Sequence, residues 1–303
     1  MAKSVLITGG TGLIGRRLTE LLLEKGYKVA YLSRSARSYP NVSVFQWDIN
    51  KGYVDPEAFN HMDYLVHLAG AGIADERWTD ERKKVIISSR TESIELLARL
   101  MKENGKLPKA LISSSAVGYY GADTGQTKNT ETTPPGSDFL ADVTVQWEAA
   151  AEAVKRLGVR TVKLRTGVVL SDKSGALPKI AAPARFGAGA PLGDGKQWMS
   201  WIHVDDMCRM YIEAIENESW EGAYNGVASP PVTNAELTSL ICKVLNRPQI
   251  LPSVPKFALR LAFGEMADVV LGSCYVDNTR IRTTRFTYQF PDLEEALRDL
   301  LSK

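Results

Sequence analysis

The segment Thr8-Gly9-Gly10-Thr11-Gly12-Leu13-Ile14-Gly15 lies between an apolar run, Ser4-Val5-Leu6-Ile7, and an amphipathic stretch from Leu13 to Lys25. Strand, glycine turn and helix in that order form the opening unit of a doubly wound α/β sheet. Lacking a Cβ, Gly9 permits the tight turn, Gly12 lets backbone approach an anionic ligand, and Gly15 lets the helix press onto the strand. The helix N-terminus then offers free N–H groups and the positive end of its dipole to phosphates. Gly9, Thr11, Gly12, Leu13, Ile14 and Gly15 are therefore the candidate pyrophosphate cradle. A purely structural turn is the plainer alternative.

The rest of the chain repeats the alternation. Strand-like runs occur at Val5–Thr8, Lys28–Leu32, Val42–Trp47, Tyr64–Leu68, Ala110–Ser113, Thr161–Leu164 and Ala223–Gly226, with helical stripes such as Leu18, Leu21 and Leu22 between them. This pattern predicts an α/β fold, a Rossmann-type doubly wound parallel sheet with a smaller, mostly helical C-terminal substrate lobe. Residues 1–230 are expected to form the dinucleotide-binding domain and 231–303 the lobe. Within the first, the Gly/Ala/Pro-rich segment 171–200, which includes Gly187 to Gly195, is too long for a plain connector and is expected to cover a substrate. Thr233 with Glu236, and Asp292 with Glu295, each give an N-cap signature opening a lobe helix.

At 303 residues and 44% hydrophobic content the chain can bury a full core. Its 37 basic and 35 acidic residues are interspersed, so it carries no electrostatic footprint for nucleic acid or an anionic membrane. Cys208, Cys242 and Cys274 are widely spaced with no CxxC, which argues against a disulfide framework or a metal site. No leader-like opening and no run of about 18 apolar residues is present, so a cytoplasmic protein with small-molecule partners is expected.

NAD-selective sites place a carboxylate at the end of the second strand, about 20 residues beyond the glycines, to hold the ribose 2′-hydroxyl. Here that strand ends Leu32-Ser33-Arg34, with Arg37 close behind, and no Asp or Glu occurs between Lys28 and Trp47. Ser33 and Arg34 suit a 2′-phosphate, because a guanidinium makes charge-assisted and bidentate phosphate contacts. NADP(H) is the expected cofactor. Asp48 is a candidate acceptor for the adenine amino group and equally a turn residue. Ala69, Gly70 and Ala71 leave room for backbone contact with the cofactor riboses. His67, in an apolar strand, is read as a core histidine.

TGGTGLIG at Thr8 to Gly15, HLAGAG at His67 to Gly72, SSSAVGYYG at Ser113 to Gly121 and WIHVDD at Trp201 to Asp206 together resemble the short-chain dehydrogenase/reductase superfamily, in its extended, sugar-nucleotide-epimerase-like branch. Val254 to Asp268 and Phe290 to Leu301 narrow the likeness to the atypical group labelled "epimerase family protein" or nucleoside-diphosphate-sugar epimerase. The resemblance implies a Tyr-x-x-x-Lys pair for acid/base chemistry, assisted by a Ser or Thr. This chain has no tyrosine followed four residues later by lysine, and the helix after Ser137 offers only Phe139/Val143, Leu140/Thr144 or Val143/Trp147 in its place. Ser115 best matches the catalytic hydroxyl, and Tyr119 and Tyr120 are candidates for the missing phenol. Ser113 and Arg165, ending the fifth and sixth strands, are counted with the cofactor residues; Arg165, with Lys179 and Arg185, is also a candidate for gripping an anionic substrate. Trp198 and Trp201 could wall the pocket or anchor a lobe. The resemblance puts His203 and Asp205 near the substrate, whereas a cap by Asp205 or Asp206 on a helix starting near Met207 is the plainer account. Arg77 and Trp78 stand where substrate contacts begin in the family.

The expectation is an NADP(H)-binding oxidoreductase or epimerase-like enzyme moving hydride on a sugar nucleotide or related polar metabolite, with a homodimer suggested by the resemblance. The rival is a catalytically weak NADP(H)-binding sensor or scaffold, which the missing pair favours.

Overall fold

The computed structural model describes residues 2–302. The chain runs β1 (Ser4–Thr8), α1 (Leu13–Glu24), β2 (Lys28–Ser33), β3 (Val42–Asp48), β4 (Tyr53–Val54), β5 (Tyr64–His67), α2 (Asp80–Asn104) and β6 (Ala110–Ala116). It continues through β7 (Lys128–Asn129), α3 (Phe139–Lys155), β8 (Arg160–Thr166), β9 (Val168–Leu170), α4 (Ala176–Arg185), β10 (Trp198–Met199), β11 (Trp201–His203), α5 (Val204–Glu216) and β12 (Gly222–Gly226). The remainder holds β13 (Val232–Thr233), α6 (Asn234–Val244), α7 (Lys256–Phe263), α8 (Asp268–Leu271), β14 (Tyr275–Val276), α9 (Thr279–Arg282) and α10 (Leu293–Leu301).

One eight-stranded sheet, ordered β12-β8-β6-β5-β1-β2-β3-β4, contains all seven expected strands in parallel. The eighth, β4, pairs antiparallel with β3 and is too short to leave a periodic trace in the sequence. Alternate residues of β1 feed opposite faces: Val5 and Ile7 join Leu18, Met207 and Tyr211 on one side, while Leu6 joins Ile94, Leu97 and Trp147 on the other. Both faces are thus covered by helices, as a buried parallel sheet requires. Strand order reverses beside β1, which puts at the carboxyl edge between β1 and β5 the switch point where sheets of this kind form their ligand crevice.

A third core lies in the C-terminal part. Segment 171–200, expected to cover a substrate, contains α4, whose Leu177, Ala181 and Ala184 pack with Leu237 and Ile241 of α6 and Leu297 and Leu300 of α10. Gly189, Gly193 and Gly195 lie tight against the lobe. A Cβ on Gly189 would meet the Cys242 sulfur, Gly193 N–H donates to the Val254 carbonyl, and Val254 N–H donates to the Pro191 carbonyl. The two lobe caps form as expected, Thr233 with Glu236 as a reciprocal capping box and Asp292 accepting from the Glu295 amide. No helix among the described residues is long and apolar enough to cross a membrane.

Candidate functional site

The glycine turn closes with Gly12 N–H donating to Gly9 O at 3.0 Å, and Gly9 adopts a φ of 69°. A Cβ on Gly9 would sit 2.8 Å from Leu68 backbone, and one on Gly15 would sit 2.5 Å from Gly9 O. The turn is therefore wedged between the end of β5 and the first turn of α1, and neither position accepts a side chain. Gly10, which sequence reasoning passed over, is equally constrained: a Cβ there would collide with the Tyr31 ring. At the start of α1 no side chain caps the helix and no acid stands in the first turn, so its orphan amides remain available to an anion. Thr8 locks the crevice wall, its hydroxyl accepting from the amides of Leu68 and Ala69.

At the end of β2, Ser33 Oγ accepts from Ser35 N–H at 3.1 Å, and Arg34 and Arg37 are exposed. Neither guanidinium has a hydrogen-bond or ion-pair partner among the described residues. Asp48 caps the β3–β4 turn, accepting from Lys51 N–H and facing its ammonium at 3.5 Å. Ala69 and Gly70 border the crevice, and Ala71 N–H donates to Ser89 Oγ. His67 is fully buried against Ser93, and burial, then the Arg90 charge, pushes it down to about 3. A neutral core histidine is what the sequence implied.

Beside the crevice, β6 and β8 run in register with Ser115 opposite Arg165. Ser115 donates to Glu148 Oε1 at 2.7 Å, and Arg165 grips both Glu148 oxygens, Nε at 2.7 Å and Nη2 at 3.0 Å. Arg165 Nη1 donates to Tyr120 Oη at 3.1 Å, and Tyr120 donates to Asn225 Oδ1 at 2.6 Å. Burial opposes the Arg165 charge, but Glu148 outweighs it and raises the pKa. Burial pushes Tyr120 up to about 12, against the pull of Arg165. Glu148 was missed in sequence; its only signal was a carboxylate on the otherwise apolar face of α3. Ser113 turns its hydroxyl to the Ser114 carbonyl, and Ser114 pairs with Tyr211.

Tyr119 stands apart. Its ring covers Arg165, centroid 3.4 Å from Cζ, while its hydroxyl has no hydrogen-bond partner among the described residues. The structure thus brings Ser115, Tyr119, Tyr120 and Arg165 together, but turns Ser115, Tyr120 and Arg165 toward one another.

Other candidates fall elsewhere. Lys179 and Arg185 are exposed on α4, and Trp201 is buried in the third core, an anchor. Trp198 leans on Tyr275 and donates to Gln126. The helix expected near Met207 begins at Val204, and its cap is His203, whose Nδ1 accepts from Asp205 N–H. Neither aspartate caps it: Asp205 pairs with Arg17, and buried Asp206 accepts from the amides of Gln289 and Phe290. Arg77 donates to the carbonyls of Leu261 and Ala262, and Trp78 packs on Phe139.

A switch-point crevice, a glycine turn on an uncapped helix and a helix-covered parallel sheet define a Rossmann-type, NAD(P)-binding fold of the short-chain dehydrogenase kind. Residues 5–225 match the NAD dependent epimerase/dehydratase family, and residues 254–300 match DUF1731, a domain of unknown function. The chain belongs to the NAD dependent epimerase/dehydratase family. It is 36% identical over 301 residues to "Epimerase family protein YfhF" of Bacillus subtilis, covering 99% of this chain and 98% of that one. Among solved structures, human epimerase family protein SDR39U1 with NADPH is 32% identical, with a TM-score of 0.86 and coverage of 98% of this chain and 99% of that one. A nucleoside-diphosphate sugar epimerase from Corynebacterium glutamicum is 32% identical, with a TM-score of 0.80 over 99% of this chain and 58% of that one.

Proposed function

We propose that the protein binds NADP(H) and moves hydride on a sugar nucleotide or related polar metabolite. The observation that carries the cofactor choice is the end of β2, where two exposed, unpartnered guanidinium groups stand with Ser33 and no carboxylate. The human relative solved with NADPH supports it. The cradle fits the group, since the uncapped α1 terminus, the bare Gly12 and the narrow turn at Gly9 and Gly15 leave space and donors for a pyrophosphate. Bound there, the nicotinamide supplies or accepts the hydride. Arg34 and Arg37 hold the 2′-phosphate, and Asp48 stays with its turn.

The proton is the protein's task. Tyr119 is the phenol left free to carry it, because Tyr120 donates to Asn225 and stays protonated. Arg165 positions Tyr119 by lying under its ring, held from below by Glu148. Ser115, committed to Glu148, gives the second reading its footing: a cofactor-binding sensor with little turnover.

Calorimetry on ligand-stripped protein tests both. NADPH should bind more tightly than NADH, and the Arg34→Met/Arg37→Met double substitution should weaken NADPH about 10- to 100-fold, the size of a lost charge-assisted contact, while leaving NADH unchanged. Equal loss for the two coenzymes would remove the 2′-phosphate assignment. NADPH oxidation against carbonyl metabolites and sugar nucleotides then separates enzyme from sensor.

A further inference from the structure

Arg90 lies on the buried face of α2 and is only 9% exposed. Nη1 donates to the Ile86 carbonyl at 2.8 Å, and no carboxylate forms an ion pair with it among the described residues. Burial, and then the charge of Arg82, pushes its pKa down to about 10. The other buried guanidinium is neutralised differently, since Glu148 grips Arg165, and half-buried Arg82 faces Asp75 and Glu76 at 3.8 and 3.7 Å. A buried charge without a counter-charge is costly, so its partner is to be sought outside the chain.

Its position says where. The side chain runs beneath Gly70, where an added Cβ would lie 3.0 Å from Arg90 Cζ and 3.3 Å from Nε. Gly70 borders the crevice between β1 and β5. Its other neighbour is Trp147, whose ring centroid is 5.0 Å from Cζ. Val143, Thr144 and Trp147 are the α3 residues that stand where the superfamily's lysine would in the three registers, and all are buried. The chain thus puts a cation from α2 against the helix face that lacks one.

We propose that Arg90 is a cofactor-contacting cation, offering its remaining N–H groups to the ribose hydroxyl and phosphate oxygens of a dinucleotide lying against Ala69 and Gly70. It supplies from α2 the positive charge that α3 does not carry. This rests on the dinucleotide reading above.

Because the guanidinium is held for a ligand and not for the core, its removal should cost the ligand-free protein nothing. The test titrates wild type, Arg90→Met and Arg90→Lys with NADPH and with NADH by calorimetry, and melts each protein without ligand. Arg90→Met should weaken both coenzymes at least tenfold with an unchanged or higher melting midpoint, and Arg90→Lys should regain part of the affinity. Affinity within twofold of wild type in Arg90→Met overturns the proposal. If that variant loses stability as well as affinity, the lysine variant decides: recovered affinity upholds the proposal, and recovered melting without affinity overturns it. A wild type that binds neither coenzyme sinks the dinucleotide reading and Arg90 with it, whereas wild-type binding with an unaffected Arg90→Met removes Arg90 alone.

Discussion

Two neighbouring stretches of the sheet's carboxyl edge treat charge in opposite ways. Around β1, β2 and β5 positive groups stand without counter-charge: the uncapped start of α1, Arg34 and Arg37, and buried Arg90. Around β6 and β8 each strong donor meets an acceptor, with Ser115, Arg165, Tyr120 and Asn225 closed on Glu148 and on one another. Protein interiors satisfy their polar groups unless something else is to do so. On the function proposed above, the open stretch is where a phosphate-bearing ligand would be held, and the closed one is the scaffold around Tyr119.

The sharpest way to break this contrast is to open the closed side. Glu148→Gln leaves Arg165 buried without its counter-charge and turns one of the two oxygens it grips into an N–H donor, a loss of about 3–5 kcal/mol in unfolding free energy. Arg34→Met, on the open side, should stay within about 0.5 kcal/mol of wild type. Urea denaturation of both variants measures the difference. A Glu148→Gln protein as stable as wild type would mean the cluster is not structural at all.

The open side has a pH signature of its own. His67 has a folded pKa of about 3 against an ordinary 6.5, because burial and the nearby Arg90 oppose its charge. Between those values the unfolded chain binds a proton that the folded one refuses, so stability is full above pH 6.5 and falls as pH drops. From pH 7 to pH 5 the loss from this one group is about 2 kcal/mol, at up to about 1.4 kcal/mol per pH unit. Urea midpoints at pH 7, 6 and 5 for wild type and His67→Gln isolate it. The variant's curve should be flatter by that amount, and parallel curves would show that His67 charges readily in the fold.

The two stretches also differ in how well they can be read from the chain. The open one follows from local rules: Gly9, Gly12 and Gly15 sit in one turn, and the missing acid after Leu32 lies a few residues downstream. All seven parallel strands are likewise visible as apolar runs. The closed one joins residues far apart in sequence, Ser115, Glu148, Arg165 and Asn225, and depends on which face of α3 meets β6 and β8, a register that no local pattern encodes. For the same reason Arg90 is unremarkable in sequence, since Ser89-Arg90-Thr91 reads as an ordinary solvated helix face until packing buries it. Segment 171–200 differs again: its glycines and prolines suggest a segment covering a substrate, and they give no sign of α4 or of the close fit of Gly189 against Cys242 that ties it to the lobe.

The smallest expected effect probes the line between the two stretches, which falls between adjacent tyrosines. Tyr120 is 3% exposed and hydrogen-bonded to Asn225 and Arg165, so Tyr120→Phe strands the Asn225 oxygen, leaves Arg165 Nη1 only the Glu131 carbonyl, and should cost about 1–2 kcal/mol of stability. Tyr119 keeps its ring over Arg165 in Tyr119→Phe and loses only a hydroxyl with no protein partner, so stability should change by less than about 0.5 kcal/mol. If Tyr119 carries the proton, that same substitution should cut turnover about 100-fold or more, the usual contribution of a general acid or base, with NADPH affinity kept. The inverse pattern, with Tyr120→Phe stable but inactive and Tyr119→Phe active, would move the boundary by one residue. It would also show that the Asn225 hydrogen bond gives way when substrate binds.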